Sequence, residues 1–152
     1  MPNVRTAAET DASEVVRLVT KLLSELRGEP WAGDEQSLIE KTRTFIKNGD
    51  CAAFLIETDG KNIGVLTISV TVAVRTEGEY GIIQELYVEP KYRSGGYGKQ
   101  LLDRAIDWAQ EKGWPRLEVG APPLPRWERT LTFYEKNGFV QIGHRLKWLN
   151  GQ

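Results

Sequence analysis

The stretch Arg93-Ser94-Gly95-Gly96-Tyr97-Gly98-Lys99 puts three glycines within four residues. It stands between a strand-like apolar run, Ile82 to Val88, and a helix-like run, Gly96 to Lys112. Pro90 closes the strand, because proline cannot donate to a ladder. A helix that opens on glycines presents unpaired N–H groups and a partial positive charge. Glycine lets the backbone take positive φ and come close to a bulky anion. A phosphate or pyrophosphate is the natural guest of such a turn.

Two well-known phosphate turns are excluded by their own spacing. A P-loop needs Gly-x-x-x-x-Gly-Lys-Ser/Thr, but Arg93 stands five residues before Gly98, and Gln100 follows Lys99. A dinucleotide fingerprint needs a third glycine where Leu101 stands, within a βαβ unit. The pattern that is met is Arg-x-x-Gly-x-Gly, by Arg93, Gly96 and Gly98.

The rest of the chain supplies the frame. Val4 to Thr6 reads as a short strand. Asp11 reads as an N-cap with Glu14 completing a capping box. Val15, Val16, Val19, Leu22, Leu23 and Leu26 then recur at helical spacing up to Gly28. A second helix is expected from Gln36 to Lys47. Ala52 to Glu57, Ile63 to Val74 and Ile82 to Val88 read as three consecutive antiparallel strands. After the long helix, which ends at Gly113, come a brief strand at Leu117 to Val119, a short helix at Thr130 to Lys136, and a final strand pair at Phe139 to Ile142 and Leu146 to Leu149.

Length and charge limit the function classes. The chain has 152 residues, which fits one domain, 1–152. Lys and Arg number 20 against 21 Asp and Glu, so there is no basic excess for nucleic acid. One cysteine and one histidine make a metal site improbable. No apolar run reaches the ~18 residues of a membrane span, and none at the N-terminus has signal-peptide length. A cytoplasmic location, with no nucleic-acid or membrane partner, is therefore expected.

The stretch "IIQELYVEPKYRSGGYGKQLL" and the downstream "FYEKNGF" (Phe133 to Phe139) resemble the GNAT superfamily of acetyl-CoA-dependent N-acetyltransferases. The resemblance is specific from Ile82 to Gly138. It implies an α/β (α+β) fold: a central mixed, mostly antiparallel, twisted sheet of six to seven strands with four helices. It implies that amides of Ser94, Gly95, Gly96, Tyr97, Gly98 and Lys99 hold the coenzyme A pyrophosphate, while Arg93 adds charge and shapes the turn. It also implies that Leu86, Tyr87 and Val88 pair with the pantetheine arm like an added strand. The Leu86 N–H would polarise the thioester carbonyl.

Three residues carry the expected chemistry. An acceptor amine with a pKa of ~10 must lose a proton before it attacks, and a carboxylate can take it. Glu85 is the first candidate base, and Glu118 in "LEV" its rival. The resemblance implies that Tyr134 protonates the leaving thiolate. Each has a plainer reading: Glu85 and Glu118 as surface charges, Tyr134 as a core aromatic. Gln84 and Glu85 point to opposite faces unless a bulge intervenes. Trp127 stands where family members often have an asparagine, and the loop Gly120 to Glu128 is longer than usual. The expected activity is transfer of acetyl from acetyl-CoA to an amine, with a small-molecule acceptor favoured over a peptide amine. A non-catalytic acyl-CoA-binding module is the alternative. The edges of the final strand pair would allow a homodimer.

Overall fold

The computed structural model describes residues 2–120, 128–143 and 145–151. Trp127 and most of the proline-rich loop lie outside the described residues. Two compact units divide the chain, Met1–Glu118 and Val119–Gln152.

The first unit opens with β1 (Asn3–Thr6), a 3-10 turn (Glu9–Asp11), α1 (Ala12–Arg27) and α2 (Glu35–Asn48). Then come β2 (Cys51–Thr58), β3 (Lys61–Ala73), β4 (Gly78–Val88) and α3 (Tyr97–Glu111). β5 (Leu117–Val119) straddles the two units, and α4 (Glu128–Lys136) belongs to the second. The strands form one open sheet in sequence order, with β1 through β4 each antiparallel to the next. Among the described residues no helix is long and apolar enough to cross a membrane.

Alternation along β2 and β3 gives the sheet two apolar faces, each covered by a helix. One face presents Ala53, Leu55, Val65 and Tyr87, which pack with Val15 and Leu18 of α1. The other presents Phe54, whose ring meets Trp108 of α3 edge-on at 5.7 Å. Gly64 lies on this second face. A Cβ there would sit 2.9 Å from Ile56 Cγ2 and 3.3 Å from Leu101 Cδ1, so glycine lets α3 seat closely.

Charge ties α1 to the far end of β4. Glu89 is buried, and Arg17, Lys21 and Lys61 all place nitrogens within 3.4 Å of its carboxylate. Burial works to raise its pKa, but these cations outweigh it and hold the group below its ordinary value.

Two expectations are corrected. The sheet has five strands among the described residues, not six to seven. The segments Phe139 to Ile142 and Leu146 to Leu149 join no ladder, and Val140, Ile142, Leu146 and Trp148 are exposed. Alternating apolar residues need a partner edge to become a strand, and none pairs with them here. Asp11 does not cap α1 through its side chain. Its carboxylate accepts from the Ala8 amide and pairs with Arg5 at 2.9 Å, which closes the 3-10 turn instead.

Leu101 is fully buried where α3 meets the sheet. Leu101→Ala should cost about 2–5 kcal/mol in urea-induced unfolding, the range for truncating a buried leucine.

Candidate active site

The glycine turn follows a 3-10 turn at Pro90–Tyr92. Ser94 has φ 71° and Gly96 φ 81°, so the chain turns twice through left-handed backbone before α3 begins. A Cβ on Gly95 would meet the Tyr97 ring at 2.5 Å, whereas one on Gly96 would meet nothing within 4 Å. The space beside Gly96 is therefore open. The first intrahelical bond here runs from the Gln100 amide to the Gly96 carbonyl at 3.1 Å. Among the described residues no protein group accepts a hydrogen bond from the amides of Ser94 through Lys99. No side chain caps Gly96 either. These six amides lie at or just before the positive end of a 15-residue helix.

Arg93 shapes this turn more than it charges it. Its Nε donates to the Val88 carbonyl at 2.9 Å, and its Nη atoms hold both oxygens of Glu25 at 2.9 and 2.7 Å. The ion pair fastens the C-terminal end of α1 to the turn and balances the guanidinium charge. Lys99 pairs with Asp103 at 2.8 Å. The anion-binding capacity thus rests on main-chain dipoles. Sequence reasoning missed Glu25, which is 68 residues from Arg93 and carries no local signal.

β4 has 11 residues and β5 only three. At ~3.3 Å per residue β5 can cover under a third of the β4 edge. Leu117 of β5 lies beside Gly81, where a Cβ would come within 2.8 Å of it. The stretch Leu86 to Val88 lies farther along. Its other edge is paired to β3 through Leu66, Val65 and Gly64.

A bulge sets the direction of Glu85. Thr67 pairs with Glu85, but the next β3 residue, Ile68, pairs with Ile83, so Gln84 is extra. Glu85 is flanked by the pair Tyr87–Val65 and therefore shares the α1 face, while Ile83 is switched to the α3 face. Gln84 is exposed. The Thr67 hydroxyl donates to Glu85 Oε1, and the Glu85 amide donates back to Thr67 Oγ1 at 3.1 Å. Burial raises the Glu85 carboxyl above its ordinary value, and the Thr67 hydrogen bond opposes that shift only in part. Cys51 lies on the same face, two residues before Ala53. Its thiol is pushed up to about 11, first by burial and then by Glu85. A thiol held that high is no nucleophile near neutral pH.

Glu118 is in a different environment. It is buried, and Oε2 accepts from Arg75 Nη1 at 3.0 Å and forms an ion pair with Arg116 Nη2 at 3.0 Å. Arg75 also donates to the Tyr80 hydroxyl at 3.1 Å. Tyr134, in the second unit, lies edge-on to Phe133 and Phe139 at 5.3 and 5.4 Å. Burial pushes its phenol up to about 12. A cavity of about 260 Å³ lies elsewhere, beside Cys51, Val70, Trp108 and Lys112 toward the C-terminal end of α3. Among the described residues no group of three His, Cys, Asp or Glu could hold a metal ion.

Raised carboxyl values carry a stability signature. The contribution of Glu85 is full below its unfolded value of 4.5 and is lost as pH rises through the higher folded value. Glu85→Gln removes that loss and keeps an acceptor for Thr67. In urea the variant should match wild type near pH 4 and unfold at higher denaturant at pH 8. A variant weaker than wild type at pH 8 would mean the carboxylate is well satisfied where it sits.

Comparison with known proteins agrees with this geometry. Residues 16–139 match the model of the acetyltransferase (GNAT) family. An IAA acetyltransferase of Azospirillum brasilense is 28% identical over 145 residues, covering 94% of this chain and 88% of that protein. The uncharacterized N-acetyltransferase YhfO of Bacillus subtilis is 27% identical over 139 residues, 91% of this chain and 90% of that one. The crystal structure of a predicted acetyltransferase from Clostridium acetobutylicum, solved with acetyl-CoA, superposes with a TM-score of 0.82 at 24% identity. That match covers 98% of this chain and 96% of that one. An aminoglycoside acetyltransferase from a soil metagenome superposes with a TM-score of 0.78 at 21% identity, over 98% and 97%. The chain belongs to the acetyltransferase (GNAT) family and is an N-acetyltransferase.

Proposed function

We propose that this enzyme moves the acetyl group of acetyl-CoA onto the amine of a small molecule, by direct attack in a ternary complex. The observation that carries the donor assignment is the row of amides from Ser94 to Lys99 with no protein acceptor among the described residues. A pyrophosphate satisfies such a row and gains from the helix dipole. The β4 stretch Leu86 to Val88 extends past what three-residue β5 can cover, and pantetheine amides can add to it as a strand does. The carbonyl oxygen of the thioester then receives the Leu86 N–H as charge develops on it.

Glu85 is the base in this reading. Its carboxyl is mostly buried and its pKa is raised, which brings a proton acceptor nearer the working pH. It takes a proton from the acceptor ammonium, and the freed nitrogen attacks the thioester carbon. Collapse of the tetrahedral adduct breaks the C–S bond. Tyr134, whose phenol keeps its proton across the working range, gives it to the departing thiolate and regains one from the acylated nitrogen, so that the amide leaves neutral. Glu118 serves the fold, since Arg75 and Arg116 both place a nitrogen 3.0 Å from its Oε2. The small-molecule preference is supported by the single, largely buried carboxylate at Glu85, which suits one amine better than a run of basic side chains. The single cysteine is free, which suits a reducing cytoplasm.

Two measurements test this reading. Titration calorimetry with coenzyme A should give binding to wild type and at least ~10-fold weaker binding to Gly96→Trp, whose indole would cover the open hollow, a loss of about 1.4 kcal/mol. Unchanged affinity would remove the cradle. Thiol release over a panel of primary amines should identify the acceptor. With that amine, Tyr134→Phe should lower kcat about 100-fold, and full turnover would remove the phenol from the acid role.

A further inference from the structure

We propose that Thr67 is a positioning residue for the reaction, holding the Glu85 carboxylate toward the α1 face through a closed two-bond link across the β3–β4 bulge. The inference rests on the reading of Glu85 as the base.

The geometry leaves little freedom. Thr67 is buried and pairs directly with Glu85. Its hydroxyl accepts from the Glu85 amide at 3.1 Å and donates to Glu85 Oε1. A hydroxyl has one proton. With Glu85 ionised, that proton can only go to the carboxylate. The amide bond fixes where the oxygen sits, and the oxygen in turn fixes the carboxylate. A β-bulge disrupts the ladder at the extra residue and re-aims its neighbours, and here a side-chain hydroxyl satisfies the amide beside the bulge. Thr67 is also a hydroxyl inside an otherwise apolar buried run, Ile63 to Ile68. Burying a hydroxyl costs free energy unless it is bonded. The link to Glu85 meets that cost and gives the position a use beyond packing.

The surroundings contain few competing charges. From β2, Cys51 shares the face and stays a neutral thiol near neutral pH. From β3 comes Thr67 itself, and from β4 Tyr87, whose phenol burial raises further. Among the described residues no charged side chain of α1 or α2 contributes to the Glu85 shift. The state of Glu85 is therefore set by burial on one side and the Thr67 proton on the other. Losing that proton disfavours the ionised form.

The test is a carbon-13 NMR titration of the full chain carrying labelled glutamate, with the Glu85 signal assigned by its loss in Glu85→Gln. Thr67→Val should move the Glu85 midpoint up by about half a pH unit or more, and Thr67→Ser should leave it near wild type. With the amine found by the thiol-release screen, the acid limb of the kcat profile should move up by the same amount in Thr67→Val. The KM for acetyl-CoA should not change. Activity needs the base unprotonated, so the loss appears on the low-pH side. Coincident midpoints for the valine variant and wild type would overturn the proposal. So would a serine variant that behaves like valine. Should Thr67→Val fail to fold, wild type alone decides: the Thr67 methyl signal must titrate with the Glu85 midpoint, and a flat methyl signal overturns the link. Full turnover by Glu85→Gln together with a shifted midpoint in Thr67→Val would leave the link standing and remove Glu85 as the base.

Discussion

The bulge at Gln84 is the constraint on which the rest of the site depends. In an unbroken strand, Ile83 and Glu85 would point to the same side. The extra residue sends Ile83 to the α3 face, opposite Ile68, and leaves Glu85 on the α1 face beside Tyr87. An apolar side chain thus goes where α3 needs packing, and a carboxylate goes to the opposite face beside Tyr87. Neither could be achieved without sacrificing the other in a regular ladder. The cost is local, one unpaired residue and a disturbed ladder, and the Thr67 hydroxyl offsets part of it by bonding the Glu85 amide.

The donor turn depends on a second economy of backbone groups. Helices ordinarily satisfy their first amides with a side-chain cap. Here the cap position is Gly96 in left-handed backbone with no side-chain bond. A serine or aspartate there would add a capping oxygen and occupy those amides. Arg93 stabilises the turn from behind, through Val88 and Glu25, and does not spend its charge in the hollow. The turn is therefore braced by Arg93 while its amides keep no protein acceptor among the described residues.

Most of the architecture was legible because its signals are local. The α3 stripe of Leu101, Leu102 and Ala105 repeats at helical spacing, and the β2–β3 hairpin is marked by Asp59-Gly60. The glycine turn was legible because positive φ has a residue signature. The bulge was not, since nothing in Ile83-Gln84-Glu85 distinguishes a bulged residue from a paired one. Register is a property of two strands, and Thr67 lies 18 residues from its partner. The Asp11 expectation failed for the same kind of reason. Arg5 lies within reach only once the chain turns back, and a bidentate guanidinium outcompetes a helix amide for the carboxylate. The final strand pair failed because alternation describes a strand's faces and says nothing about its edges.

The contrast between Glu85 and Glu118 shows why sequence could name both carboxylates and rank neither well. Both are substantially buried, and both lie in or beside strands of the same sheet. Glu118 meets two guanidinium groups at 3.0 Å, both at Oε2, so opposite charge already sits beside it. Drawing a proton onto it would first have to break those pairs. Glu85 has a hydroxyl and a largely buried setting, with no cation matching its charge among the described residues. Its neutral form is favoured in place, so accepting a proton relieves an unfavourable charge and breaks no ion pair. The two carboxylates thus differ in surroundings, and the difference follows from which arginines the fold delivers to which strand.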